Sequence, residues 1–168
     1  MKKIVIHWFR RDLRITDNHA LSLALNSGFE VLPLFIFDED ILNQLDDKTD
    51  RRVDFIHQSL QNINQELKKY NTSIYSFFGT VNDAFKYLTN EYQIAEVFCN
   101  EDYEPTTIKR DENVKLFLES HNIKFTSIKD QVIFSKNDIL KADQTPYTVY
   151  TPYSKKWKET LNANHFQN

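Results

Sequence analysis

The chain of 168 residues is 40% hydrophobic and 14% aromatic and carries a formal net charge of −3. That is apolar material for one compact domain with a sizeable core, which excludes a disordered chain, and the near-balance of charge excludes a global basic field for nucleic acid. The lone Cys99 excludes a disulfide framework and a cysteine zinc site, and no apolar run is long enough to span a bilayer, so a soluble protein of the reducing cytoplasm is expected.

Ile4-Val5-Ile6 opens the chain as a strand buried on both faces, and the loop HWFRRDLRITDN follows at residues 7–18. Asp17 is placed to cap a first helix through Leu21, Leu23 and Leu25 that stops near Gly28. Residues 31–37 form a second strand, and Val53, Ile56, Leu60, Ile63 and Leu67 follow with the spacing of one helical stripe, capped by Thr49 or Asp50. Residues 74–78 read as a third strand, and Ala84, Phe85 and Leu88 mark a third helix. Residues 97–99 form a fourth strand, Ile108, Val114, Phe117 and Leu118 a fourth helix, and residues 125–128 a fifth strand. A last helical segment is expected at residues 154–161.

Strands alternating with helices predict a Rossmann-like α/β fold: a doubly wound, five-stranded parallel sheet of order 3-2-1-4-5 with helices on both faces. Ligands of such sheets bind beyond the carboxyl ends of the strands, where the order reverses. There the loop after strand one would meet the loop after strand four, NEDYEPTTIKRDEN, with the segment from Phe37-Asp38 as a side wall. The chain has only two glycines, Gly28 and Gly79, so no G-x-G-x-x-G turn or P-loop can be written in it. The five histidines show no metal spacing, and no triad or compelling carboxylate pair appears. A flat ring system stacked on aromatics and oriented by a few polar side chains is the ligand such a crevice suits.

HWFRRDLRITDNHAL resembles the W-F-R-x-D-L-R-x-x-D-N-x-A-L signature of the DNA photolyase and cryptochrome family, and LPLFIFD, NEDYEPTTIKRD and YTVYTPYSKKW extend the likeness over nearly the whole chain. The resemblance implies an antenna-binding domain at residues 1–130. Residues 131–168 would form a connecting segment toward a helical domain outside this chain, which holds FAD and the damaged DNA. Light absorbed by the antenna would pass to FAD for repair of pyrimidine dimers, so this part alone is not expected to catalyse, and a monomer is expected. Folate-holding relatives carry Asn-Glu where this chain has Thr106-Thr107, while the flavin-type pattern is matched by Asp38, Arg51, Asp102 and Glu104. FMN or a deazaflavin is therefore favoured over methenyltetrahydrofolate, with Phe35 and Phe37 near the ring, Asp38, Asp102 and Glu104 at its polar edge, and Arg51 and Arg110 for phosphate or tail groups. A cryptochrome domain and a stand-alone flavin module remain as alternatives. The charges of residues 10–17 read as a paired loop that caps the first helix and faces the helical domain, with no evident partners inside one domain. Trp8 and Phe9 read as core.

Overall fold

The computed structural model describes residues 3–47, 49–135 and 137–166. They divide into two compact units, Met1–Asp130 and Gln131–Asn168. The first holds five parallel strands, β1 (Lys3–Phe9), β2 (Glu30–Asp38), β3 (Tyr75–Gly79), β4 (Gln93–Asn100) and β5 (Lys124–Ile128), in the order β3-β2-β1-β4-β5. This is the expected Rossmann-like order, reversing between β1 and β4.

Strand alternation sorts the core into two layers. Ile4, Ile6 and Trp8 of β1 and Leu34 and Ile36 of β2 pack against α4 (Val81–Glu91) and α5 (Pro105–Ser120), through Ala84, Phe85, Leu88, Val114 and Leu118. On the opposite face Phe9 and Phe35 meet α3 (Arg51–Leu67) through Leu60, Ile63 and Leu67, while Val5 meets α1 (His19–Leu25) through Ala20 and Ala24. Trp8 and Phe9 are both core, at 2% and 1% exposure. Ile108 is the exception on its helix: it is 37% exposed and stands outside the stripe that Val114 and Leu118 define.

The helix starts follow side-chain chemistry. Asp50 caps α3 by accepting from the Arg52 N–H, and Thr80 caps α4 by accepting from Asp83. For α1 the cap is Asn18, not Asp17: Asn18 accepts from Leu21, while Asp17 sits at φ 51 and turns the chain into the cap. A short helix, α2 (Glu39–Leu42), follows β2 with Asp38 as its cap. Gly79 ends β3 at φ +144, and a Cβ there would lie 2.9 Å from the Phe77 ring. Gly79→Ala is expected to cost about 1–3 kcal/mol, because strained backbone and ring contact add; a urea midpoint equal to the parent's would refute this.

The second unit contains α6 (Tyr150–Thr160), which begins four residues before the segment expected from sequence. Within it Phe134 packs edge-on against Trp157 at 5.4 Å and Tyr147 meets Tyr153 at 6.2 Å. Among the described residues, no helix is long and apolar enough to cross a membrane.

Candidate functional site

At the carboxyl ends of β1 and β4 a buried polar knot joins the two strands. Asp12, Asn18 and Asn100 are 4%, 5% and 1% exposed. The Asn100 amide donates to Asp12 Oδ2 at 2.6 Å and Asn18 Oδ1 at 2.9 Å, and its oxygen accepts from the Ala20 N–H at 3.0 Å. Asn18 donates to Asp12 at 3.2 Å, and the Arg10 N–H donates to Asp12 Oδ1 at 2.9 Å. Satisfied on all sides, the knot fixes where the first loop leaves the sheet and where α1 starts.

The arginines of that loop spread outward from the knot. Arg10 pairs with Asp111 at 2.5 Å and donates to the Asn100 carbonyl, Arg11 pairs with Glu104 at 2.8 Å and lies 3.5 Å from Asp102, and Arg14 pairs with Asp130 at 2.5 Å. The expectation that these charges lack partners within one domain is therefore corrected: every arginine of the loop is paired, to residues beyond β4 or β5. They brace the carboxyl edge of the sheet itself.

Two crevices open at that edge, each of ≈ 730 Å³, and they collect different residues. One lies between the first loop and the start of α3, with Arg10, Arg11, Arg14, Arg51 and Arg52 around Leu13, Phe55 and Ile56. Leu13 and Ile56 of its lining pack on the apolar layer under α3, which gives it a hydrophobic floor, and Phe55 is 70% exposed at its rim. Arg52 is held by Asp50 at 2.6 Å, whereas Arg51 pairs with no carboxylate among the described residues. The second crevice is formed by α2, the start of α4 and α5, and includes Asp38, Thr106, Thr107, Lys109 and Arg110. Burial pushes the Asp38 carboxyl above the usual range, against the lowering effect of the hydrogen bond from Asp40.

Of the seven residues expected at a ligand, three line these crevices: Arg51 the first, Asp38 and Arg110 the second. Phe37 packs on the apolar layer under α3, and Asp102 and Glu104 pair with Arg11 without lining either crevice. Phe35, at 6% exposure, is core and meets Phe37 edge-on at 4.9 Å. Asp38 and Arg110 line the second crevice, where Arg110 is already engaged by Asp111 at 2.9 Å and lies over the Trp8 ring. Sequence reasoning missed Phe55 and Ser59, although Arg51, Arg52, Phe55, Ile56 and Ser59 follow the spacing of one helix face. Burial pushes the thiol of Cys99, which lines neither crevice, up to about 11, and no metal-binding cluster occurs among the described residues.

The family model of DNA photolyase matches residues 5–168. The chain belongs to the DNA photolyase family. A deoxyribodipyrimidine photo-lyase of Synechococcus sp. is 30% identical over 154 residues, covering 92% of this chain and 32% of the relative. Among solved structures, a bacterial class III photolyase from Agrobacterium tumefaciens superposes with a TM-score of 0.81 at 26% identity, over 95% of this chain and 32% of that one. An archaeal photolyase from Sulfolobus tokodaii, described with two FAD molecules and a novel light-harvesting cofactor, gives 0.71 at 32% identity, over 80% of this chain and 31% of that one. The chain spans about a third of the length of the photolyases it matches. The matched residues include the loop that carries Asp12 and Asn18 of the buried knot and three of the five arginines of the first crevice.

Proposed function

We propose that the chain is the light-harvesting α/β domain of a deoxyribodipyrimidine photolyase, and that a flavin-like tricycle, FMN or a deazaflavin, occupies the arginine crevice. The observation that carries this is Arg51, a cation at a helix start with no carboxylate partner among the described residues, beside the exposed ring of Phe55 and an apolar floor. A cation is disfavoured at a helix N-terminus unless an anion answers it. The ring would lie on Leu13 and Ile56 beside Phe55, a phosphate or acidic tail would meet Arg51 and Arg52, and Asp102 and Glu104 would accept from the ring's polar edge as Arg11 turns aside. A bound ring of this class absorbs near-ultraviolet or blue light. The residues of this chain bind and orient it and keep water from its face. Folate fits less well, since Thr106 and Thr107 bring hydroxyls to the second crevice where the resemblance calls for Asn-Glu.

In this reading residues 131–168 lead to a helical domain of the same protein that holds FAD and meets damaged DNA, in a monomeric cytoplasmic enzyme. Titration of the chain with FMN, a deazaflavin and methenyltetrahydrofolate, followed by fluorescence, tests the ligand. Both flavins are expected to bind more tightly than the folate, and Arg51→Ala is expected to weaken FMN about tenfold, the worth of one charge-assisted contact. Tighter folate binding overturns the flavin reading, and a loss in Asp38→Ala rather than Arg51→Ala moves the ligand to the second crevice. Light-dependent dimer repair by the full gene product tests the activity; flavin photoreduction without repair would favour a cryptochrome.

A further inference from the structure

We propose that Trp8 is electrostatically insulated against oxidation: the guanidinium groups of Arg10 and Arg110 keep its indole reduced beside a photoexcited ring, so that absorbed light leaves as excitation. The inference rests on the reading that a flavin-like ring is bound at this edge of the sheet. Trp8 is 2% exposed at the end of β1, and the guanidinium carbons of Arg10 and Arg110 lie 5.1 and 4.9 Å from its ring centroid. Arg10 lines the arginine crevice, while Arg110 and Phe85 line the second, with the Phe85 ring edge-on to the indole at 5.3 Å. Each crevice is therefore lined by a side chain that also lies against the indole.

That closeness creates a competing reaction. An excited isoalloxazine can take one electron from an indole, leaving an indole radical cation and a ligand radical anion with no proton transferred, and the excitation is lost. Positive charge held against the indole face opposes the radical cation directly, and it does so strongly where water is excluded. The Arg10 and Arg110 side chains are 6% and 19% exposed, and both bind one carboxylate, Asp111. Both guanidiniums lie against the indole and share Asp111, while the charge of Asp102 also reaches Arg10 and that of Asp38 reaches Arg110. Trp157, the other tryptophan, is packed by Phe134, and among the described residues no guanidinium lies over its ring.

The test uses the 168-residue chain carrying Trp157→Phe, so that Trp8 is the sole indole. Flash-generated tris(bipyridyl)ruthenium(III) serves as the oxidant, and the indole radical is followed by its absorbance. Arg110→Gln is expected to speed radical formation by about tenfold, Arg110→Lys to stay within about twofold of the parent, and Asp111→Asn to slow it by about tenfold. A purely packing role predicts no such opposite signs. Equal rates in folded Arg110→Gln and Asp111→Asn overturn the proposal, and if the first does not fold by near-ultraviolet circular dichroism, an Asp111→Asn rate at or above the parent's overturns it alone. The oxidant is not a flavin, so failure of FMN to bind would sink the antenna reading while leaving this ordering of rates to be judged separately.

Discussion

Replacing Asn100 with leucine is expected to remove about 3–5 kcal/mol from the stability of the α/β unit, the scale found when one partner of a buried charged pair is deleted. The side chain is 1% exposed and every polar atom of its amide is used. Leucine would leave Asp12 Oδ2 short of its 2.6 Å donor and strip the first-turn N–H of Ala20 of its acceptor. A domain of this size holds only about 5–15 kcal/mol in total, so the loss should be visible as a large fall in urea midpoint. Lys115→Ala is the comparison: its pair with Glu119 spans 3.8 Å with both side chains about half exposed, and its loss should cost under about 0.5 kcal/mol. Should Asn100→Leu unfold within about 1 kcal/mol of the parent, the knot is not what ties β1 to β4.

The helix stripes were legible in the sequence because they rest on local periodicity, and the strand order followed only from the alternation of strands with helices and the topology such alternation favours. Val53, Ile56, Leu60, Ile63 and Leu67 repeat at helical spacing whatever they pack on, and three of the five are buried. The polar knot was not legible, since Asp12 and Asn100 are 88 residues apart and meet only when β4 adds beside β1. The same holds for Arg10, Arg11 and Arg14: the paired character of the loop could be read, the partners Asp111, Glu104 and Asp130 could not. Asn18 took the cap because Asp17 lies in the left-handed turn that aims the chain at the helix.

The single crevice expected at the switch point became two for a reason that was available in principle. On a strand, Phe35 and Phe37 must face one side of the sheet and Asp38 the other. The first two joined the layer under α3 and the third lines the crevice beside α4 and α5. Residues grouped by nearness in sequence were thereby divided by the pleat. Arg110 lines the second crevice and meets on its own side the Asp111 carboxylate and the Trp8 ring.

A second large effect is expected on acidification, and it centres on His7. This residue is fully buried in the middle of β1, neither ring nitrogen has a hydrogen-bond partner, and the Phe9 ring sits edge-on at 4.3 Å. Burial lowers its pKa from 6.5 to about 4; Asp12 and Asp130 oppose the shift and Arg10 adds to it. Pro33 and Phe98 stand opposite it on the neighbouring strands, so no further titratable group is brought against it by the sheet. Because the folded state holds the proton less well than the unfolded chain, the stability tied to neutral His7 is complete above pH 6.5 and drains away as pH falls toward 4. The full loss is about 3 kcal/mol. His7→Val should unfold at least as late as the parent at pH 7.5, since a buried imidazole without partners is exchanged for a strand-forming apolar side chain. Its urea midpoint should also fall much less between pH 7 and pH 4.5. Parallel declines in the two proteins would mean that acid acts through the carboxylates of the edge pairs, with His7 a bystander.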